Sequence, residues 1–360
     1  MRLPHVATCA ALAAAAVFAH AADDRIVTAT EHGTYIEIGR DLSRLVAKPA
    51  GIALGVSLSK GSGENVRRLR DEPGVRLALV QADVLDAFIR QAAAGNAEAA
   101  HLIRPLRVVM PLYDEEIYFV VRADSPLQYL HEIRDKHINV GPIGSGTALT
   151  ATNVYAKMFG ASLPAEDASF LSNEDALLRL TTDRSVDVVA VVAGQPARLF
   201  AQMQPQARQL IRLLKFDPAA PESNALAGTY APVTIHAESY PTWLDHDVRS
   251  ISVKSLLVTR DWQSPRLRDE MTQLAHAMCV GFGRLREDGH AKWREVAFDQ
   301  PVLPGGWTYY EPTHRVLANC PQLRESDALA YNTTPHKVNA TPLVCLSGNS
   351  DPAACRLASR

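Results

Sequence analysis

Over the first hundred residues, apolar and polar positions follow a strand–helix rhythm. Residues 25–30, 52–59 and 75–80 are apolar runs of strand length. Each is followed by a polar, small-residue loop and then by an apolar stripe at helical spacing. The stripes are Ile38, Leu42, Leu45 and Val46, then Val66 and Leu69, then Val84, Leu85, Phe88 and Ile89. This β-α-β-α-β-α order predicts a parallel sheet covered by helices. Two β-rich runs, 106–113 and 117–122, flank Asp114-Glu115-Glu116. A second series follows: a short helix ending at Arg134, a strand at 137–140, and a helix with Leu149, Val154, Met158 and Phe159 facing inward. After these come a helix at 173–180, a strand at 186–192 that is apolar apart from Asp187, and a strand-like run at 210–214. Pro196, just past that apolar strand, suits an early helical position. Residues 250–259 read as a strand, and 267–282 and 287–296 as helices. The simplest topology is an α/β chain of two lobes. Residues 22–114 with 247–315 make the first and 115–246 the second, joined by two hinge strands near 112–117 and 245–254.

Composition narrows the function classes. With 360 residues, 47% hydrophobic, the chain is long enough for two cores. Its formal charge of −2 leaves no basic field for nucleic acid. Residues 1–21 have the shape of a cleaved signal peptide: Arg2, an apolar run at 6–18, then Ala19-His20-Ala21. No later run approaches membrane length, so the mature chain is expected to be exported, periplasmic and without a transmembrane segment. Four cysteines follow the signal, an even number that suits disulfides in an oxidising compartment. Of the three connectivities, Cys279 with Cys320 and Cys345 with Cys355 are favoured. Residues 316–360 are loop-like in composition and read as an extension. No histidine or cysteine spacing suggests a metal site, and no cofactor is expected.

The most informative stretch is 140–150, Val-Gly-Pro-Ile-Gly-Ser-Gly-Thr-Ala-Leu-Thr. A strand runs into a Gly-rich turn and then a helix, whose first amides lack intrahelical partners and carry the positive end of the dipole. Gly144 and Gly146 leave those amides open. Ser145 and Thr147 add hydroxyls and can cap the helix. The result is a carboxylate or phosphate cradle. No Lys follows Gly-Ser-Gly, so the Walker spacing fails, as does G-x-G-x-x-G.

Taken in order, several motifs resemble the TAXI family, the substrate-binding proteins of TRAP (tripartite ATP-independent periplasmic) transporters. They are Gly33-Thr34-Tyr35 with Ile38-Gly39, Ser62-Gly63-Glu64-Asn65, Leu79-Val80-Gln81-Ala82-Asp83-Val84, and Leu112-Tyr113 with Glu116. Val121-Arg122-Ala123-Asp124-Ser125, the 140–147 loop, and Leu303-Pro304-Gly305-Gly306-Trp307 with Tyr309-Tyr310-Glu311 complete the series. The resemblance implies a two-lobed periplasmic-binding-protein fold of type II. It also implies a small organic acid as ligand, TRAP-type permease subunits as partners, and a monomer. His32, Lys60 and Gln195, the last standing where His is expected, depart from the family pattern on cleft loops.

The candidate ligand-binding residues are Gly33, Thr34, Tyr35, Lys60, Ser62, Gln81, Tyr113, Ser145, Gly146, Thr147 and Gln195. Several have a plainer reading. Lys60 either points inward or is a solvated loop lysine. Ser62 either meets ligand or caps its helix. Gln81 either bonds ligand or satisfies local backbone. Tyr35 and Tyr113 either flank the ligand or pack between lobes. Glu116 reads better as a hinge residue than as an amino-group receptor, and Tyr240 better as core. No catalytic residue is expected. The alternatives are a sensor that presents its solute to a receptor and a serine-dependent hydrolase, although G-x-S-x-G is not met.

Overall fold

The computed structural model describes residues 24–304 and 306–320. The first strand–loop–helix units form where the periodicity places them. β1 (Asp24–Val27) leads to α1 (Thr34–Asp41), β2 (Leu54–Ser57) to α2 (Ser62–Asp71), and β3 (Val75–Gln81) to α3 (Ala82–Ala93). β3 is covered on both faces, which is why it reads as an almost unbroken apolar run. α1 continues into a π-type turn, Leu42–Ala47, that keeps Leu42, Leu45 and Val46 buried. A helix missing from the sequence reading, α4 (Ala97–Ile103), is opened by Asn96, whose side chain accepts from the Ala99 amide.

The Asp114-Glu115-Glu116 triplet does not break the chain. β4 runs unbroken from Leu106 to Arg122, with Glu115 and Glu116 both buried. Beyond it lie β5 (Ile138–Asn139), α5 (Gly146–Phe159), β6 (Ala168–Ser169), α6 (Asn173–Thr181), β7 (Val188–Ala193), β8 (Ile211–Leu213), β9 (Ala231–Ile235) and β10 (Val248–Arg260). Two expected helices shrink to single 3-10 turns. Leu130–Glu132 is closed by the Glu132 carboxylate, which accepts from the Gln128 and Tyr129 amides. Ala291–Arg294 is cut off from the long helix Pro265–Asp288 at Gly289, where a Cβ would lie 2.5 Å from the Leu285 carbonyl oxygen. Pro196 likewise lies outside a helix. It follows a cis peptide bond, and the next short helix begins at Arg198.

The sheet order is β2-β1-β3-β10-β4-β7-β5-β6, with β8 on β4 and β9 on β10. β1 is parallel to β2 and β3, and β10 is antiparallel to both β3 and β4. β4 and β10 serve two half-sheets. The start of β4 pairs with the end of β10, and the end of β4 pairs with β7 and β8. Seventeen residues of β4 span roughly 55 Å at strand rise, enough to cross from one half to the other. Because strand side chains alternate, each half-sheet has a core on both faces. In the first half, Met110, Leu112 and Leu257 face the long helix, while Val108, Leu256 and Val258 face α2 and α3. In the second half, Ile117, Phe119 and Val121 face α5, while Tyr118 and Val120 face Phe200, Tyr240 and Trp243. Two half-sheets, two crossing strands and the inserted antiparallel β10 make this the periplasmic-binding-protein fold of type II.

The long helix Pro265–Asp288 packs on the first half-sheet and is joined by a Cys279–Cys320 disulfide to the end of the helix Glu311–Ala318. That last helix crosses residue 315, where composition alone suggests the loop-like extension starts. The bridge closes a 41-residue separation, for which chain entropy predicts about 4 kcal/mol of stabilisation. Cys279→Ala with Cys320→Ala is expected to lose about 2–4 kcal/mol in urea unfolding. An unchanged midpoint would show that the bridge contributes nothing. The expected Cys345 pairing with Cys355 and the expected signal peptide lie outside the described residues.

Candidate functional site

Four helices begin at one cleft between the two half-sheets. α1 starts after Gly33, α2 after Gly61, α3 directly after Gln81 at the end of β3, and α5 after Ser145. Asn65 holds three of these loops in place. Its Nδ2 donates to the Thr28 and Leu79 carbonyls at 2.6 and 2.7 Å, and its Oδ1 accepts from Ser59 Oγ at 2.6 Å. Of these four helices only α5 has a side-chain cap, the Ala148 amide donating to Ser145 Oγ at 3.0 Å. Thr34 and Tyr35 of α1, Ser62 of α2, Gln81 just before α3, and Gly146 and Thr147 of α5 line a cavity of about 80 Å³. Convergent helix N-termini favour negative charge.

Nine of the eleven candidate residues line this cavity. Gly33, Thr34, Tyr35, Lys60, Ser62 and Gln81 come from the first half, and Ser145, Gly146 and Thr147 from the second. Their roles differ from one another. Lys60 is exposed at the mouth beside His32. Ser62 does not cap α2. Its Oγ donates to Gln81 Oε1 and accepts from the Gln81 amide, both at 3.1 Å. Thr34 Oγ1 donates to the Gly194 carbonyl at 3.1 Å and stands 3.0 Å from the Gly194 amide. Thr147 Oγ1 accepts from the Val192 amide at 3.4 Å. The Tyr35 hydroxyl is buried and accepts from Ser255 Oγ at 3.3 Å.

The other two lie elsewhere. Tyr113 is fully buried below the cavity, with its hydroxyl unpartnered among the described residues. Gln195 spends its polar atoms on the hinge. Its backbone and side-chain N–H groups donate to Glu116 at 2.8 and 3.0 Å, Nε2 also donates to the Thr234 carbonyl at 3.0 Å, and Oε1 accepts from the His236 amide at 3.0 Å. Glu116 is thus a hinge residue. Tyr240 is core, 2.6 Å from the Tyr118 hydroxyl.

Glu115 is the buried ionisable residue of the cavity lining that sequence reasoning missed. It lines the space, is 3% exposed, and its Oε2 has no partner among the described residues. Burial pushes its carboxyl up to about 8. Glu116 and Asp83 add to this, while Tyr35 and Lys292 oppose it. The alternation Tyr113, Glu115 along β4 was the available signal, because it puts both on one face.

The two halves touch directly. The Glu64 amide donates to the Gly144 carbonyl at 3.1 Å. The Tyr230 hydroxyl donates to Asp83 Oδ2 at 2.8 Å and accepts from Asn153 Nδ2 at 2.7 Å. Two glycines permit this approach. A Cβ on Gly146 would stand 1.8 Å from Gln81 Oε1, and one on Gly63 would stand 2.8 Å from the Gly144 carbonyl oxygen. Gly63→Ala therefore sets a side chain against backbone that cannot swing away. At an overpacking cost of about 1–3 kcal/mol on the shut form, ligand affinity should fall roughly 10- to 100-fold, with small-angle scattering showing a wider molecule. Unaltered affinity would show that the lobes need not meet here.

A family model described as the NMT1-like family matches residues 26–279. Among solved structures, the chain is 16% identical to a TctC solute binding protein from Polaromonas, covering 85% of this chain and 97% of that one at a TM-score of 0.42. It is 13% identical to the periplasmic binding protein BugD, covering 86% and 97% at 0.46. It is 12% identical to the arginine-, lysine-, histidine-binding protein ArtJ from Geobacillus stearothermophilus, covering 78% and 97% at 0.42.

Proposed function

The chain belongs to the NMT1-like family, a family of periplasmic solute-binding proteins, and on that premise we propose that it captures a small organic anion between its lobes and delivers it to a membrane permease. The observation that carries this reading is the convergence of four helix N-termini on one interlobe cavity. A carboxylate there accepts from first-turn amides at 146–147 and 62–63, with Lys60 adding charge at the mouth. The TAXI-type motifs support a permease pair of the TRAP class as partner and a monomeric carrier. No helix among the described residues is long and apolar enough to cross a membrane. The lobes of this reading are 22–114 with 247–315 and 115–246, hinged where β4 and β10 cross, after removal of a signal peptide at 1–21. Closure buries the passenger and builds the face that the permease reads.

Thermal shift against dicarboxylates, keto acids and amino acids tests it. A bound member at 100 times its Kd stabilises by about 2.7 kcal/mol, a shift of several degrees. Ser145→Ala with Thr147→Ala should remove most of that shift. A full shift retained by the double variant would place the anion elsewhere. Silence across the panel would overturn the carboxylate reading.

A further inference from the structure

The floor of the cavity is acidic where its walls are helix N-termini. Glu115 lines the same small space as the starts of these helices, and its Oε2 is buried without a partner among the described residues. A carboxylate ligand and an ionised Glu115 would repel across so small a volume. Among the described residues, no ion pair is made to Glu115, and the cavity's lysine, Lys60, stands at its exposed end. The titratable groups that act on Glu115 are Tyr35 from α1, Tyr113 and Glu116 from β4, and Asp83 from α3. From the turn Ala291–Arg294 comes Lys292, whose Nζ is already held at 2.7 Å by both Glu116 and Glu295. Lys60 and His32 lie at the exposed mouth. An ammonium group fits poorly in their place, because the floor adjoins the positive first turns of α1 and α3 at Tyr35 and Asp83.

We propose that Glu115 is a specificity-determining residue that holds its proton in the bound state and donates it in a hydrogen bond to a ligand oxygen, so that the cleft selects organic anions presenting a keto or second carboxylate oxygen there over those presenting an ammonium. This rests on the carboxylate-binding reading above. The proton stays on Glu115, and no bond is made or broken. Burial already favours the neutral acid below about pH 8. An anion bound alongside favours it further, so binding at higher pH takes up one proton.

The test uses two matched pairs, 2-oxoglutarate with L-glutamate and pyruvate with L-alanine, by calorimetry from pH 6 to 9.5. Within a pair that binds, the keto acid should be preferred at least about tenfold at pH 7. Its Kd should be flat to pH 8 and then rise toward about tenfold per pH unit. Glu115→Gln, a donor at every pH, should flatten that profile. Glu115→Leu, with no donor, should weaken binding about tenfold at pH 7. A preference for the amino acid, or a wild-type Kd flat to pH 9.5, overturns the proposal while leaving carboxylate binding standing. Absence of binding by all four probes and by the wider panel overturns both. Should Glu115→Gln not fold, the wild-type profile and the keto-against-amino ratio decide the matter alone.

Discussion

Lys292→Met is expected to destabilise the protein by about 3–5 kcal/mol, the range for removing one partner of a buried ion pair. Lys292 and Glu116 are each 1% exposed in their side chains, and Lys292 Nζ stands 2.7 Å from Glu116 Oε1 and 2.7 Å from Glu295 Oε1. Methionine fills the stem but leaves Glu116 with only the N–H donors of Gln195. Burial already raises the Glu116 carboxyl, with Lys292 and Gln195 opposing. Loss of Lys292 raises it further. A folded-state pKa above the unfolded one makes the penalty grow as pH rises and shrink as the group is protonated. The deficit should therefore be smaller at pH 5 than at pH 8 in urea melts. Adding Glu116→Gln should recover part of it, because no charge is then stranded. A loss below 1 kcal/mol at pH 8 would show that the hinge pair is not held as described.

Glu115→Gln is expected to act in the opposite direction and to grow with pH. The folded carboxyl titrates near 8 against 4.5 unfolded. Below about pH 4.5 both states are protonated and the group costs nothing. The cost rises between the two values and is complete above pH 8. Glutamine never ionises. The variant should match wild type near pH 4.5, exceed it increasingly through pH 7, and keep a constant lead above about pH 9. Thermal melts across pH 5–9.5 read this. A constant difference across that range would mean that Glu115 titrates at its ordinary value in the folded chain.

The parts legible in the sequence were those set by local rules. Strand-to-helix turns with Gly, Ser and Thr located three cavity loops, because a short apolar run followed by helical periodicity has few other readings. The Gly-Ser-Gly loop of α5 was legible because only glycine leaves first-turn amides open. The residues that moved did so through contacts distant in sequence. Gln195 reads as a cleft-loop residue, yet its side-chain amide donates to Glu116, 79 positions away. Ser62 reads as a cap until β3 brings Gln81 within reach. Glu115 is hard to read from sequence because an acidic triplet looks like a break between strands. It stays extended because β10 pairs with it directly, Val253 opposite Glu115. Which face of β4 becomes cavity floor is decided by the crossing of the half-sheets, and local patterning carries no record of that.

The contact between the Glu64 amide and the Gly144 carbonyl has an evolutionary consequence. Peptide groups are present whatever the side chains, so this part of the clamp survives nearly any substitution except proline or added bulk. His32 and Lys60, at the mouth, contribute nothing to that contact. The clasp and the side chains at the mouth are thereby different atoms. A lineage can exchange the mouth residues while inheriting the clasp intact.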